Sequence, residues 1–405
     1  MSARPEIYLD YAATTATAPE VLEAMRPFLG EAFGNPSSVH RRGDAAREAL
    51  AEARSRVAAL VGALPEEVVF TATGSEANNL ALKGLLANAD PKRRRLVVSA
   101  IEHPSVLETA RHLEARGVPV TIVPVDADGV LDPERLEQAL GPDVALVSVM
   151  WVNNEIGTVQ PVAEVAERAH RAGARFHCDA IQAAGKLPID IAACGVDLLS
   201  LAGHKFHGPP GAAALVVRRR VRLEPLVHGG HQERSRRAGT ESLAAIVGLG
   251  VAAARASARL ERGLEAVPQA LGDRLLSGLE ARVPGTRLNG DRLRRLRSIV
   301  NVRFPGVDGE AMLHELDRSG ATVSTGSACS AATPGPSPVL LALGLNPEEA
   351  HASVRFSLGE GTTESEIETV LDIVPAALES LRALAGDARH PGVADANTRA
   401  TGLRA

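Results

Sequence analysis

VVFTATGSEANNLALKGLLANA, residues 68–89, sets an apolar, β-rich run before a glycine, a hydroxyl and then a helical stretch. Short apolar runs of the same kind follow it: RLVVSA (95–100), VPVTIVPV (118–125), VALVSVMWV (144–152), ARFHCDA (174–180), DLLSLA (197–202) and AAALVV (212–217). They are nearly continuous rather than alternating, the pattern of strands covered on both faces. Between them PSVLETARHLEARG, PERLEQALG and PVAEVAERAHRAG read as helices. This alternation, from about residue 66 to 220, predicts an α/β domain with a largely parallel sheet.

Beyond that region an amphipathic helix is expected over Glu241–Arg262 and another over Pro268–Arg282. RSIVNVRFPG, a helix at GEAMLHELDRSG, a Ser/Thr/Gly/Pro-rich loop from Ser324 to Pro338, HASVRFSLG and a helix from Glu364 to about Ala385 follow. These read as a smaller α+β domain. A chain of 405 residues exceeds what one core usually holds. The expected division is a large domain over 16–260 and a small one made of 1–15 plus 261–386. The polar stretch 387–405 reads as a mobile tail.

Composition narrows the function classes. Forty-four basic residues against 49 acidic ones leave a charge of −5, which argues against nucleic-acid binding by bulk electrostatics. The longest apolar run, Leu243 to Ala254, is short for a bilayer, and the first residues resemble neither a signal nor a transit sequence. Three cysteines, at 178, 194 and 329, form no CxxC pair, so a disulfide scaffold is not expected and a cytoplasmic location is.

The cations are lopsided. Only Lys83, Lys92, Lys186 and Lys205 are lysines; the other 40 basic residues are arginines. Arginine cannot form a Schiff base, whereas a lysine amine can. Lys92 lies in the solvated run PKRRR, Lys83 late in a helix, and Lys186 in the loop AGKLPID, where a surface role is expected. Lys205 follows a strand within AGHKFHGPPG, a rigid Gly/Pro loop, and is the Schiff-base candidate.

Ligands of parallel α/β sheets bind beyond the carboxyl ends of the strands. Thr73, Gly74, Ser75 and Glu76 follow one strand: an anion cradle at a helix N-terminus, or simply an N-cap. His103 follows another, and Asn153 and Asn154 a third, as ligand groups or turn formers. Asp179 ends a fourth, with Gln182 three residues on; it could pair with a pyridinium nitrogen or cap a helix. A phosphate cradle, a strand-end Asp, amides and a singular Lys are together the parts of a pyridoxal phosphate site. Cys329, in the small-residue loop STGSACS, suits a nucleophile that must move, while Cys178 and Cys194 read as packing residues. HKFH and HGGH lack a third acidic ligand, and no metal is expected.

The motifs YLDYAATT (8–15), FTATGSEANNLALKG (70–84), EHPSVL (102–107), VNNEIGTVQP (152–161), CDAIQAAGKLPID (178–190), AGHKFHGPPG (202–211), RRAGTES (236–242), STGSACSAA (324–332) and SVRFSLGEGTTESEI (353–367) resemble cysteine desulfurases of the IscS/NifS-like group. These are class V enzymes of pyridoxal phosphate fold type I, and the resemblance runs from about Tyr8 to Leu384. It implies that Lys205 holds the cofactor, Asp179 pairs with its ring nitrogen, Gln182 with its phenolic oxygen, and His103 stacks on the ring and assists proton transfer. Gly74, Ser75 and His204 would bind the phosphate, joined by Thr240 from the other subunit of a homodimer. Asn154 and Arg355 would hold the substrate L-cysteine, and Cys329 would take its sulfur as a persulfide, releasing alanine.

The implied partners are a protein sulfur acceptor, for iron–sulfur assembly or transfer RNA thiolation, and neither nucleic acid nor membrane. Rival readings are a selenocysteine lyase or another class V enzyme, and a non-catalytic sulfur-relay subunit. The chain departs from many relatives at Ala202, where a serine is frequent, and at Thr73, Ser235 and Thr325. Ala202 bears on cofactor affinity, since a lost hydrogen bond to a charged group costs roughly 1.5–3 kcal/mol.

Overall fold

The computed structural model describes residues 6–325 and 335–388. Its strands are β1 (Ile7–Tyr8), β2 (Val68–Thr71), β3 (Arg95–Ser99), β4 (Val120–Val123), β5 (Val144–Ser148), β6 (Arg175–Asp179), β7 (Leu198–Ala202), β8 (Ala213–Val217), β9 (Arg287–Leu288), β10 (Ile299–Arg303), β11 (Ala321–Thr322) and β12 (Ser353–Ser357). All seven apolar runs found by pattern are strands, each trimmed by one to four residues.

They form one sheet in the order β2-β8-β7-β6-β5-β3-β4. Strand β8 is antiparallel to both its neighbours, and every other pairing is parallel. Because β8 reverses direction twice, β2 runs the same way as the parallel strands. The carboxyl ends of β2, β3, β5, β6 and β7 therefore open on a single edge of the sheet. The interior strands β5, β7 and β8 are wholly buried, which explains their unbroken apolar runs. At the edge, Ile122 of β4 is half exposed.

One layer on the sheet comes from helices Gly74–Ala87 and Pro104–Glu114, whose Leu80, Leu82 and Val106 pack on Leu96 and Leu215. The opposite layer holds Val162–Arg171, Arg41–Leu60 and Leu243–Glu261. Leu243–Glu261 has the length and apolarity to cross a membrane, longer than the apolar run alone suggested. Most of that window is instead buried in the protein, with Leu249 and Ala253 sharing a core with Ala53 and Val57.

A separate core unites Ile7 and Leu9 with Leu271 to Leu279 of helix Ala266–Arg282, with β10 and β12, and with Ile367 to Leu378 of helix Glu364–Ala388. Here β10 pairs antiparallel with β12, setting Asn301 opposite Arg355, and β1 pairs in parallel with β11. The N-terminal strand thus belongs to the core built from the C-terminal third. Immediately after it, the chain crosses to the open edge of the large sheet.

Candidate active site

That crossing segment is the hinge of the site. The backbone carbonyls of Ala12 and Ala13 each accept a bond from Lys205 Nζ, at 2.7 Å. Lys205 ends the 3-10 turn Gly203–Lys205 that follows β7. Two residues before Ala12, Asp10 Oδ1 accepts from Arg355 Nη2 at 2.6 Å. Arg355 Nη1 also donates to the Asn154 carbonyl at 2.9 Å, while its buried Nε has no partner among the described residues. A trans-peptide chain spans at most about 3.6 Å per residue. From Asp10 to Ala12 is then at most about 7 Å of backbone, so one short segment bonds to both an amine and a guanidinium.

Asp179, at the carboxyl end of β6, is buried and doubly held. Its Oδ2 accepts from Asn78 Nδ2 at 2.7 Å, and its Oδ1 from the Ile181 amide at 3.0 Å. The second bond is the local turn expected of a strand-end Asp; the first fixes the carboxylate toward the open edge. Asn78 Nδ2 also donates to Ser105 Oγ at 2.9 Å. Since Ser105 Oγ accepts there, its own proton is directed to His103 Nδ1, 2.8 Å away, which also accepts from the Ser105 amide at 3.1 Å. With Nδ1 an acceptor twice over, the neutral ring carries its proton on Nε2. Burial lowers the His103 pKa; the Asp179 charge raises it and Lys205 lowers it, so this ring feels both groups.

Glu102, beside His103, is fully buried. Its Oε1 accepts from the Met150 amide at 2.8 Å and from Ser99 Oγ, and its Oε2 has no partner among the described residues. Burial, with the Asp179 charge adding to it, pushes its pKa to about 8. In the loop after β5, Asn153 is a turn former: its side-chain oxygen accepts from the amides of Glu155 and Ile156. This presents the Asn154 carbonyl to Arg355.

After β2, Thr73 caps helix Gly74–Ala87 by accepting from the Glu76 amide, so the plainer reading of Thr73 is correct. Gly74 lets the helix start pack close: a Cβ there would stand 2.3 Å from Ile181 Cδ1, which would have to move, and 3.4 Å from Ala202 Cβ. Ala202 thus backs the helix start. Ser75 is exposed at the N-terminus of that helix, where free amides favour an anion. His204 Nδ1 lies 3.2 Å from Thr14 Oγ1, and burial with the charges of Lys205 and Lys186 takes its pKa down to about 4. It is therefore a neutral hydrogen-bonding group. Thr240 is exposed and lies just beyond Glu233, Arg234 and Ser235, three consecutive residues with positive φ. A buried bidentate pair from Arg54 to Glu233 holds that strained turn.

Cys329 lies outside the described residues, but both approaches to its loop are anchored at the site. Ser324 pairs with Arg355 through both backbone bonds, and Ser337 Oγ donates to Glu155 Oε2. Glu155 is buried, and its pKa rises to about 7 through that burial. The other thiols are different in kind: burial raises the pKa of Cys178 well above the ordinary thiol value and that of Cys194 to a lesser extent, which holds both protonated.

One expectation is overturned. Lys186 is no surface lysine, because its Nζ donates to Gln182 Oε1 at 2.8 Å and burial with the Lys205 charge lowers its pKa to about 7. The sequence reading also passed over Asp10, Asn78 and Ser105. Asn78 carried a signal: it lies on the apolar stripe of its helix, four and seven residues before Leu82 and Leu85.

These groups fit pyridoxal phosphate: a fixed carboxylate for a ring N–H, an amine for an aldehyde, an amide for a ring oxygen, and a helix N-terminus with a neutral imidazole for the phosphate. The comparisons agree with the geometry. The aminotransferase class-V model matches residues 7–370. A protein named cysteine desulfurase IscS, from Dictyoglomus turgidum, is 44% identical over 94% of this chain and 96% of its own. A cysteine desulfurase of Cereibacter sphaeroides is 49% identical over 93% and 97%. A solved NifS-like protein superposes with a TM-score of 0.87 at 34% identity, covering 93% of this chain and 100% of the other. A structure described as SspA in complex with cysteine does so at 0.77 and 37%, covering 88% and 100%. With a family model spanning nine-tenths of its length and relatives this similar, the chain belongs to the aminotransferase class-V family.

Proposed function

We propose that this chain is a pyridoxal phosphate-dependent cysteine desulfurase, converting L-cysteine to L-alanine and carrying the sulfur as a persulfide on Cys329. The observation that carries the reading is the Asp10–Ala13 segment, which ties the Lys205 amine to the Arg355 guanidinium. A lysine amine for the cofactor and a guanidinium for an α-carboxylate are thus held by one segment. Arg355 takes the carboxylate with a planar donor fork, and Nε, without a partner among the described residues, is a donor to spare. Asn154 lines the same corner.

In this reading Lys205 holds the cofactor aldehyde, Asp179 accepts from its ring nitrogen, Gln182 donates to its ring oxygen, and Gly74, Ser75 and His204 bind its phosphate. Thr240 reaches the phosphate of a second copy. The bound cofactor supplies an electron sink at the substrate α-carbon. Lys205 and His103 move the protons, with His103 entering as a donor through Nε2. The Cys329 thiolate attacks the substrate sulfur: an S–S bond forms, the carbon–sulfur bond breaks, and its electron pair stays on carbon, which takes a proton to become the alanine methyl. Cysteine and a thiol thus yield alanine and a persulfide, with atoms and electrons balanced.

The protein is read as a cytoplasmic homodimer passing sulfur to a protein acceptor in iron–sulfur assembly or transfer RNA thiolation. Exposed Leu29, Phe33 and Val39, the last 97% exposed, favour a second copy as a cover. The two cores favour the division into 16–260 and 1–15 plus 261–386. The test is mass spectrometry of the cofactor-loaded protein after brief exposure to L-cysteine without reductant, with an alanine assay. One added sulfur on the Cys329 peptide, matched by alanine, is expected. An unmodified Cys329 with no alanine refutes the reading, and selenocysteine is then the substrate to try.

A further inference from the structure

Gln182 is held at both ends of its amide. Lys186 Nζ donates to Oε1 at 2.8 Å, and Nε2 donates to the Ala12 carbonyl at 2.8 Å. The two partners are not interchangeable while Lys186 is protonated, since an ammonium has only donors, and at any pH the carbonyl oxygen of Ala12 has only acceptor capacity. A flipped amide would set N–H against N–H and oxygen against oxygen. Amide orientation in such a site is otherwise open; here both ends enforce the same answer. Ala12 O also accepts from Lys205 Nζ. The Gln182 amide nitrogen therefore faces the Lys205 side, with a second N–H beyond the one given to Ala12.

Lys186 is placed for this by its neighbour. Gly185 has φ +77°, and a Cβ there would come within 2.7 Å of Phe206 Cβ, next to Lys205 in sequence. The turn is thereby locked against the Lys205 loop. The charges that bear on Lys186 are Lys205, Glu265 and Arg355.

We infer that Lys186 is a positioning residue: it holds Gln182 with an N–H directed to the ring oxygen of the cofactor at Lys205, and so sets the proton affinity of the Lys205 nitrogen. This rests on the reading of Lys205 as the cofactor lysine. A donor on a ring oxygen that bears negative charge stabilises the deprotonated state and lowers the pH at which the shared proton leaves. Without Lys186 the amide is held by the Ala12 carbonyl alone, and the N–H directed to the ring oxygen is held less firmly, which weakens that effect.

The test is the pH midpoint of the bound-cofactor absorbance in the loaded protein, measured for wild type, Lys186→Met and Lys186→Arg, and for Lys186→Met in a Gln182→Ala background. Lys186→Met is expected to raise the midpoint by roughly one unit, the size of one lost charge-assisted hydrogen bond. Lys186→Arg, which keeps a donor-only head, returns it toward wild type. In the Gln182→Ala background the shift largely disappears, because the two residues act as one unit. An unchanged midpoint in Lys186→Met overturns the inference. So does a shift undiminished without Gln182, which would make Lys186 a remote charge. Should Lys186→Met not fold, Lys186→Gln takes its place with the same criteria. Wild type without bound-cofactor absorbance would refute the reading of Lys205 instead.

Discussion

Glu102 makes folding stability depend on pH in a way one substitution isolates. Its carboxyl is fully buried, Oε2 has no partner among the described residues, and its pKa is pushed from 4.5 to about 8, by burial first and by the Asp179 charge as well. Between those values the native protein keeps a proton that the unfolded chain has lost. Stability contributed by this group is therefore complete below pH 4.5 and is lost as pH rises toward 8. The slope is about 1.4 kcal/mol per pH unit, and the whole loss is on the order of 5 kcal/mol. Glu102→Gln keeps the oxygen that accepts from the Met150 amide and Ser99, and never ionises. It carries a fixed cost of about 1–3 kcal/mol for a buried N–H with no acceptor, so the slope is the readout and the offset is not.

The assay is denaturant unfolding of wild type and Glu102→Gln at steps from pH 5 to pH 9, compared as a difference at each pH. A chain with two cores need not unfold in one step, and the difference removes contributions common to both proteins, those of Glu155, Lys186 and His177 among them. The variant should gain on wild type steadily from pH 5 to 8 and then hold level. Parallel curves across that range would show that Glu102 is ionised in the folded protein, and would refute the argument from its burial.

Two substitutions address the substrate corner and the imidazole. Arg355→Lys exchanges a planar fork for a point charge, and should raise KM for cysteine roughly tenfold to a hundredfold; an unchanged KM would remove Arg355 from substrate binding. Ser105→Ala deletes a donor to His103 Nδ1. Because that donor favours the neutral ring, its loss raises the His103 pKa and moves the acid limb of the kcat/KM profile to higher pH; superimposable profiles would contradict the role given to Ser105.

How far the sequence disclosed this molecule follows from what each signal depends on. Strands β5, β7 and β8 are buried on both faces, so their unbroken apolar runs read as strands, while the longer run at Leu243–Ala254 is a buried helix. Single-edge geometry did the next step: with every parallel strand opening on the same side, Asp179, His103 and Lys205 could be named from strand ends alone. The residues that went unread are those whose partners are remote in sequence. Asp10 meets Arg355 across 345 residues, and Asn78 meets Asp179 across 101. No local pattern encodes such a pairing. A polar residue on an apolar stripe marks burial and leaves its partner unnamed.

Lys186 failed for a different reason. Its neighbours Gly185, Leu187 and Pro188 read as an ordinary surface turn, and turns usually are exposed. This one is pressed onto Phe206 and the Lys205 loop, and burial there disfavours the charged ammonium. The scarcity of lysine, four in a chain with 40 arginines, was the signal available. It was spent on the one lysine that could form a covalent bond. Applied evenly, the same argument reaches Lys186 too. Where 40 basic positions are arginine, each lysine marks a position to be explained by its contacts, and holding the Gln182 amide oxygen beside Lys205 is such a contact.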